Sequence, residues 1–334
     1  MTGNYNLDKA SERAIPLISK PGATVMTAHL NSPIFQDETA AREWLETRIW
    51  PDGPFCPHCG SYSVTALHGA AHRPGLYQCN DCREQFTVTV GSVAERSKIP
   101  LNKWVLAIYL LSASKKGMSS HQMHRMLGIS YKSTWFLTHR IREAMREGKV
   151  FGGLGGKNKV VEIDETFVGG KAANRKNHVP KKAAVLSLVE RDGKVRSFRV
   201  ANVSAKTLRP SIVSHVNRAT YIMTDDAPVY TSMGREFGGQ GTVNHSAEEY
   251  VRATFWHTNT VENYFSIFKR GIIGTYHHVS ETHLHRYSAE FDFRYNYRVG
   301  LGYTDMQRAE MIATGMLGKR LTYRRTGERA HQQA

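Results

Sequence analysis

The four cysteines of this 334-residue chain constrain its fold most, since all of them fall within 27 positions. They form two knuckles, Cys56-Pro57-His58-Cys59 and Cys79-Asn80-Asp81-Cys82, with 19 residues between them. A Cys-X-X-Cys knuckle lets two thiolates reach one face of a tetrahedral ion, so the spacing predicts a zinc ribbon. Four protein ligands close the coordination shell, and the Zn²⁺ is therefore expected to be structural. Two disulfides are the alternative, and His58 is interpreted as a surface residue because ligation from inside the knuckle would strain it.

Basic residues dominate the charge of the chain. Lysine and arginine outnumber aspartate and glutamate by 45 to 29, a formal net charge of +16. This surplus is typical of proteins that bind polyanions, although a merely basic protein would also show it. No apolar run is long enough to span a membrane, and the start of the chain lacks the pattern of a secretory signal. We therefore expect a cytoplasmic protein with nucleic acid as its favoured partner.

The patterning of the chain predicts six segments. Residues 1–36 show no sustained period and are expected to be a leader. Asp37 is expected to cap a helix over Glu38–Trp50 that packs on the ribbon, and short strands are expected at Tyr77 and Phe86–Val90. The further boundaries place this helix plus ribbon at 37–95, a helical DNA-binding region at 97–148, a glycine-rich linker at 149–158, a strand-rich domain at 159–315 and a basic tail at 316–334.

A helix-turn-helix is expected in the helical region, with a tight turn at Gly128 and a second helix capped by Ser130. Its expected core residues are Met123, Leu127, Ile129, Trp135 and Leu137. The second helix is expected to present polar and basic side chains to the major groove and to phosphates, namely Lys132, Ser133, His139, Arg140 and Arg142. An ordinary helical hairpin is the alternative, but the preceding zinc ribbon favours DNA recognition.

The last large segment reads as alternating strands and helices. Strands are expected at 160–168, 183–189, 195–200, 221–224 and 242–245, and helices at 204–217, near Val229, from about 260 and from about 280. Three antiparallel strands followed by alternating helices and strands are typical of a ribonuclease H-like domain. The expected fold class is therefore multidomain α+β: an N-terminal zinc ribbon, a helix-turn-helix and a C-terminal ribonuclease H-like α/β catalytic domain.

Three acids occupy positions that suit metal-dependent chemistry. Asp164 lies in the middle of an apolar strand, where a carboxylate is costly unless a positive charge is near. Asp225 ends a second strand, and Glu262 lies on one helical face with Lys269. Converging carboxylates would hold two Mg²⁺ or Mn²⁺ ions for phosphoryl transfer, with Lys269 on the phosphate backbone.

Each acid has an alternative interpretation. Glu165 is the weaker alternative to Asp164, and Asp226 is the weaker alternative to Asp225. Glu262 could instead form a capping pair with Asn259, three residues earlier. The 36 residues between Asp225 and Glu262 leave room for a helix, a strand and a return to the sheet, which favours the site over the cap.

These motifs together resemble the zinc-ribbon insertion-sequence transposases, specifically the bacterial insertion-sequence family numbered 1595. The resemblance runs from about Phe35 to Arg298. Besides the two cysteine knuckles and the preceding Tyr77-Gln78, it rests on Val161-Glu162-Ile163-Asp164-Glu165-Thr166, Thr224-Asp225, His257-Thr258-Asn259-Thr260-Val261-Glu262, Lys269-Arg270-Gly271-Ile272-Ile273-Gly274-Thr275-Tyr276-His277-His278 and Arg294-Tyr295-Asn296.

The resemblance implies an enzyme that binds the terminal inverted repeats of its element, cuts the ends with water and joins the resulting 3′-hydroxyl to target DNA. It maps the acidic triad onto Asp164, Asp225 and Glu262, with Lys269 as the associated basic residue. Some relatives carry Asn in place of the third acid, which makes Asn259 and Asn263 alternative participants. His257, His277 and His278 are expected either to position DNA or a proton, or to be structural.

Further DNA contacts are expected from a basic loop between Lys171 and Lys182, which an ordinary solvated loop would equally explain. The residues expected to contact DNA there and in the last helical motif are Arg175, Lys176, Lys181, Lys182 and Arg270. Because two element ends must meet, a homodimer or larger assembly on double-stranded DNA is expected. The alternatives are a DNA-binding regulator without catalysis and a nuclease without strand transfer.

Overall fold

The computed structural model of the protein describes residues 30–148, 153–169, 182–231, 233–243 and 256–322, which form two compact units. The first unit contains the chain up to Ala113, Ser120–Met145 and the chain from Thr304, and the second contains Ser114–Ser119 and Arg146–Tyr303. The helices in chain order are α1 (Pro33–Gln36), α2 (Glu38–Ile49), α3 (Leu101–Ala113), α4 (Ser120–Leu127), α5 (Tyr131–Met145), α6 (Ala205–His215), α7 (Asn259–Gly271), α8 (Leu284–Asn296) and α9 (Asp305–Thr314). The strands are β1 (Val64–Leu67), β2 (Leu76–Cys79), β3 (Gln85–Phe86), β4 (Val160–Val168), β5 (Ala183–Glu190), β6 (Val195–Val200), β7 (Tyr221–Asp225) and β8 (Gly239–Val243).

Helix α2 begins as its sequence predicts. A carboxylate oxygen of Asp37 accepts a hydrogen bond from the amide of Ala40 at 2.7 Å, which satisfies one free N–H of the first turn. The apolar positions of the helix are buried together, namely Ala41, Trp44, Leu45 and Ile49. Trp50, just after the helix, meets the rings of Tyr77 and Phe86 edge-on at 5.5 and 5.9 Å. The predicted packing of this helix on the ribbon is confirmed.

Two boundaries of this region differ from prediction. The strand predicted at Phe86–Val90 ends at Phe86, and the chain turns with a hydrogen bond from the amide of Val90 to the carbonyl of Thr87. The alternating apolar residues of this segment belong to a turn, and the side chain of Val88 in it is buried. The expected leader is also ordered at its end, where Phe35 of α1 is buried and lies 5.2 Å from the ring of Tyr109.

The two helices predicted after residue 120 are α4 and α5, and the turn between them contains Gly128 in the left-handed region, at φ +63°. The hydroxyl of Ser130 accepts from the amide of Ser133 at 3.2 Å, so Ser130 caps α5 as predicted. The predicted core residues Met123, Leu127 and Leu137 are buried, whereas Ile129 and Trp135 are half-buried.

The chain returns to the first unit at its end. Helix α9 packs against α2, α3 and α5 and buries Ala309, Ile312 and Ala313. Beyond α9, the amide of Gly318 donates to the carbonyl of Gly91 at 2.9 Å. The sequence placed 305–315 in the strand-rich domain and 316–334 in a solvated tail. That placement is wrong for α9 and for residues 316–322, because their apolar face completes the core of the helical unit.

The second unit is built on a five-stranded sheet in the order β6-β5-β4-β7-β8. Strands β4, β5 and β6 are antiparallel neighbours, while β7 runs parallel to β4 and β8 runs parallel to β7. The predicted succession of three antiparallel strands, a helix and two further strands is confirmed. The last strand starts earlier than predicted, at Gly239, and the last long helix is preceded by a short turn of helix at Glu281–His283.

The predicted linker is partly built into this unit. Leu154 is 2% exposed, pairs with Val216 and belongs to the core under one face of the sheet. Gly155, at φ +81°, passes so close to Thr220 that a Cβ would lie 2.3 Å from its Oγ1. From residue 153 onward the predicted glycine-rich linker therefore packs within the second unit, since Gly155 leaves room for the Thr220 side chain and Gly153 lies close to the backbone of His215.

Each face of the sheet covers its own core. Helix α6 packs on one face with Val161, Ile163 and Ile222, together with Tyr230 from the short helical turn Pro228–Tyr230. Helices α7 and α8 pack on the other face over a core that contains Val185, Val195, Val261, Phe268 and Phe291. Alternate residues of β4 thus point into different environments, which decides the surroundings of its acids.

Candidate functional site

The four cysteines meet in the first unit. The sulfur atoms of Cys56, Cys59, Cys79 and Cys82 all lie within 4.8 Å of one another, and all four thiols are free. The closest pairs are Cys56–Cys82 at 3.6 Å and Cys59–Cys79 at 3.5 Å. Four sulfurs on one ion at about 2.3 Å lie just under 4 Å apart, so this arrangement fits a tetrahedral Zn²⁺. Disulfides, which need sulfurs about 2 Å apart, are excluded.

The two knuckles repeat one local backbone design. The residues after the second cysteine of each, Gly60 and Arg83, both adopt the left-handed conformation, at φ +79° and +64°. Their amides donate to the carbonyls of Cys56 and Cys79 at 2.8 and 3.1 Å. In the second knuckle the backbone amides of Cys82 and Asp81 lower the pKa of the Cys79 thiol to about 7. Burial raises the pKa of the Cys56 thiol to about 12, and a bound metal ion would favour its thiolate form.

A second cluster lies in the other unit, where β4 and β7 run side by side. Glu162 pairs with Met223 in this parallel ladder, and Asp164 and Asp225 each stand two residues further on. They therefore reach the same level and the same face of the sheet. Glu165 points to the opposite face, where it accepts a hydrogen bond from the hydroxyl of Tyr230. Side chains along β4 thus alternate between the two faces of the sheet.

The charges of three carboxylates act on Asp164. Burial, helped by the charges of Glu165, Asp225 and Glu262, raises the pKa of Asp164 to about 7, and one hydrogen bond from the amide of Glu165 at 2.7 Å opposes this rise. Asp225 is half-buried and its Oδ1 accepts from the amide of Ala227 at 3.2 Å, which orders the turn after β7. The structure thus brings the three predicted acids into one neighbourhood.

Glu262 lies in the first turn of α7, which begins at Asn259. Thr258 occupies the cap position, and its hydroxyl donates to a carboxylate oxygen of Glu262 at 3.0 Å. The alternative in which Asn259 caps the helix and pairs with Glu262 is therefore wrong. Glu262 and Lys269 are both exposed, and α7 continues into a π-helical turn at Ile272–Tyr276.

These acids fit divalent cations by their chemistry. Clustered carboxylates that repel one another, with one held at a raised pKa, are stabilised by a hard cation with oxygen ligands. Among the described residues only the four cysteines bring at least three possible ligand atoms within 4.8 Å of one another. The three acids are therefore spaced more widely than the ligands of a compact single-ion cluster.

Sequence reasoning missed Glu162, the acid with the most hydrogen bonds among the described residues of the second unit. Its side chain is completely buried, and one oxygen accepts from Arg191 Nε at 2.7 Å. The amides of Thr260 and Val261 donate to the other oxygen at 2.8 and 3.0 Å. His257 is also part of this cluster, with Nδ1 3.2 Å from Glu162. A lone glutamate on the Asp164 face of an apolar strand was the available signal, since a buried charge requires partners.

The residues expected to contact DNA differ in their exposure. Lys132, Lys182 and Arg270 are exposed, and Ser133 and Arg140 are half-buried. His139 and Arg142 are each 1% exposed, so the prediction that they face DNA is wrong. The reason is that α5 is covered by α3, α4 and α9. The basic loop residues Arg175, Lys176 and Lys181 lie outside the described residues.

Three arginines line a pocket on the first unit that the motifs did not indicate. Arg96, Arg140 and Arg320 surround it together with Phe136 and Glu95. The Arg140 guanidinium lies 4.3 Å from the centre of the Phe136 ring, and Glu95 lies 3.7 Å from both other arginines. One acid among three guanidinium groups leaves a positive surface that suits a phosphate.

Comparison with known proteins defines the class to which these units belong. Residues 36–85 match the transposase zinc-ribbon domain, and residues 154–296 match the ISXO2-like transposase domain. The resemblance indicated by the motifs is thereby confirmed: the chain carries both domains of this transposase family, the ribbon before the mixed α/β domain. The protein is also similar to an uncharacterized protein in transposable element ISH50 of Halobacterium salinarum, with 27% identity over 278 residues, 78% of this chain and 91% of the relative.

These findings support a transposase role, with structural zinc in the ribbon. The chain contains the transposase domain, and it is similar to a protein in a transposable element. The family implies binding to DNA. In the part of the chain that the structure describes, every helix is too short or too polar to cross a membrane.

Proposed function

We propose that the protein is a DNA transposase that binds the terminal inverted repeats of its insertion sequence and catalyses metal-dependent strand cleavage and strand transfer. The observation that carries the proposal is the neighbourhood of Asp164, Asp225 and Glu262, in which the charges of the other two act on Asp164. The sheet order with three antiparallel strands followed by two parallel ones supports a ribonuclease H-like fold for the second unit.

The three carboxylates would hold two Mg²⁺ or Mn²⁺ ions, which supply activation of the attacking oxygen and stabilisation of the leaving oxygen at phosphorus. Asp164 experiences the charges of the other two acids and would be one of the ligands. Glu262 belongs to an exposed helical face that also carries Lys269, which would contact the phosphate beside the scissile bond.

DNA would be held mainly by the first unit. The capped start of α5 offers exposed Lys132 and half-buried Ser133 for the major groove. The pocket of Arg96, Arg140 and Arg320 would take a backbone phosphate, and Lys182 and Arg270 would contact DNA near the acids. A transposase must join two ends, and we expect a dimer or larger assembly on DNA.

The test is a cleavage and joining assay on a labelled DNA fragment that carries the element end, with Mg²⁺, for the native protein and Asp225→Ala. Both proteins must first be shown to bind the fragment. We expect the variant to lose activity by more than about 100-fold. Replacement of a residue that only orients a metal ligand already lowers metal affinity or activity by about 10- to 100-fold.

The same assay separates the alternative functions. Nicked ends without joined product from the native protein would favour a nuclease, which would use the same acids. Binding without either reaction in both proteins would leave a DNA-binding regulator.

A further inference from the structure

We propose that Glu162 is a positioning residue of the acidic site: its carboxylate holds the first turn of α7 on β4 and thereby sets where Glu262 stands relative to Asp164. The proposal rests on the proposed function, since it concerns the same three acids. It goes further by naming the part of the fold that brings two of them together.

The contacts of Glu162 join two elements that are far apart in the chain. One oxygen accepts from the backbone amides of Thr260 and Val261, and the other accepts from the hydroxyl of Thr260 at 2.9 Å and from Arg191. The first amides of a helix have no partner within the helix and carry its positive dipole end. The carboxylate of Glu162 thus acts as a cap supplied by the neighbouring strand.

The path from one catalytic acid to the other is short and rigid. Asp164 lies two residues from Glu162 on the same face of β4, and Glu262 directly follows Val261, whose amide Glu162 holds. Val261 is fully buried in the core between sheet and helices. A shift of the first turn of α7 would therefore move Glu262 and leave Asp164 in place.

Glu162 is not a fourth metal ligand. Both of its oxygens accept from protein donors, and Arg191 compensates its charge with Nε at 2.7 Å. The second guanidinium nitrogen of Arg191 donates to the carbonyl of His257 at 2.8 Å, which fixes the approach to α7. A carboxylate with its lone pairs occupied and its charge neutralised holds other groups in place.

The decisive variant is Glu162→Gln, which keeps the shape of the side chain. Both oxygens of Glu162 act as acceptors, so whichever way the amide is turned its NH₂ meets a donor. We expect faster hydrogen exchange at the amides of Thr260 and Val261 in the metal-free protein. With the zinc site filled, we expect the Kd for Mn²⁺ at the acidic site to rise by about 10- to 100-fold, as for other residues that orient metal ligands.

Glu290→Gln is the matched control, because Glu290 is an equally buried glutamate of the same unit. It is bonded to Arg294 Nη2 and to the hydroxyl of Tyr276, both at 2.5 Å, at the side of α8. This exchange is expected to lower stability while leaving the Mn²⁺ Kd within about twofold. Titration calorimetry measures the Kd, and Asp225→Asn identifies the binding that belongs to the acidic site.

Thr260→Val is the milder variant if Glu162→Gln fails to fold, because it removes one hydroxyl donor and keeps the volume. It is expected to raise the Mn²⁺ Kd by roughly threefold to tenfold, the effect of one typical hydrogen bond. Native Mn²⁺ affinity in both variants, or equal weakening by Glu290→Gln, overturns the positioning role.

The proposed function can fail separately. If the native protein shows no Mn²⁺ binding that Asp225→Asn removes, the metal-dependent function falls. In that case, hydrogen exchange at the amides of Thr260 and Val261 still tests whether Glu162 holds the first turn of α7. Native exchange rates in Glu162→Gln would show that it does not.

Discussion

At the scale of single residues, acids of the second unit lie in two kinds of surroundings. Asp292 accepts hydrogen bonds from the hydroxyl of Tyr264 at 2.6 Å and from the amide and hydroxyl of Ser197 at 2.7 Å, and Glu162 is similarly surrounded by donors. Asp164 instead has other carboxylates around it. The donors around Asp292 lower its pKa against the effect of burial, which raises it to about 6, whereas a cation or a proton would stabilise Asp164 among the other carboxylates.

Asp164 should make the effect of metal ions depend on pH. Its pKa of about 7 lies above the ordinary 3.8, so folding without metal is favoured by its proton at low pH, and that contribution disappears as the pH rises through 7. A divalent ion needs the ionised carboxylate. The increase of Tm on adding Mg²⁺ or Mn²⁺ should therefore be larger at about pH 8 than at about pH 6.

Asp164→Asn supplies the control for this measurement. Calorimetric scans at both pH values should show a much smaller dependence on pH in the variant. An equal metal-induced shift of the native protein at both pH values would contradict the role given to Asp164.

Gly155 is a residue whose role only its surroundings reveal. Gly155→Ala should lower the free energy of unfolding by about 2–4 kcal/mol, from the left-handed backbone and the clash with Thr220 together. Gly300→Ala is the control, because no atom lies within 4 Å of the added carbon and its backbone is not left-handed. Denaturant unfolding measures both, and equal stability of the two variants would refute the close approach.

At the scale of elements, the ribbon depends on its ion because it has little core of its own. Its strands are four, four and two residues long, and the aromatic contacts of Trp50 with Tyr77 and Phe86 join the ribbon to α2. Short strands of this kind need an additional crosslink to be stable.

Removal of zinc should therefore disorder the ribbon. We expect one zinc per chain by metal analysis and a red shift of tryptophan emission on chelation, because Trp50 is 6% exposed in the folded ribbon. Trp50→Phe should remove much of that shift, and Cys59→Ser should lose the metal. Unchanged emission after complete removal of zinc would show that the ribbon is stable without it.

At the scale of the whole molecule, the chain is not a simple row of domains. It leaves the first unit before Arg146, forms the second unit and returns to the first at Thr304. The last helix contributes the fully buried Ile312 and Ala313 to the first core.

Truncation after Tyr303 should consequently damage the first unit. The loss of buried Ile312 alone corresponds to about 2–5 kcal/mol, so DNA binding and the thermal transition of the helical unit should both weaken. Truncation after Thr322 retains α9 and is the control. Native DNA binding by the shorter chain would refute the contribution of α9.

The arginine pocket predicts a measurable electrostatic effect on DNA binding. Arg320→Gln and Arg140→Gln should each weaken binding at all sequences and reduce the slope of log K against log salt by about one, the loss of one phosphate contact. Arg209→Gln is the control, because Arg209 is exposed but already paired with both oxygens of Glu236 at 2.7 and 2.8 Å. Unchanged slopes in the two pocket variants would exclude a phosphate there.

Local patterns in the sequence determined much of this protein. The cysteine spacing, the Asp37 cap of α2, the Ser130 cap of α5 and the apolar strand around Asp164 follow from short-range chemistry, and the structure shows each of them. The two faces of β4 likewise follow from a period of two. Such features depend on neighbours within a few residues, and sequence therefore predicts them well.

Tertiary structure alone decided the features that depend on distant partners. The burial of His139 and Arg142 depends on neighbouring helices that include α9, more than 150 residues later in the chain. The role of Glu162 depends on donors from Arg191 and from the first turn of α7. Leu154 is buried in the core because the neighbouring glycines allow its backbone to approach that of Val216. A charge or an apolar side chain looks the same in sequence whether solvent or a remote segment covers it, so only the assembled fold determines its environment.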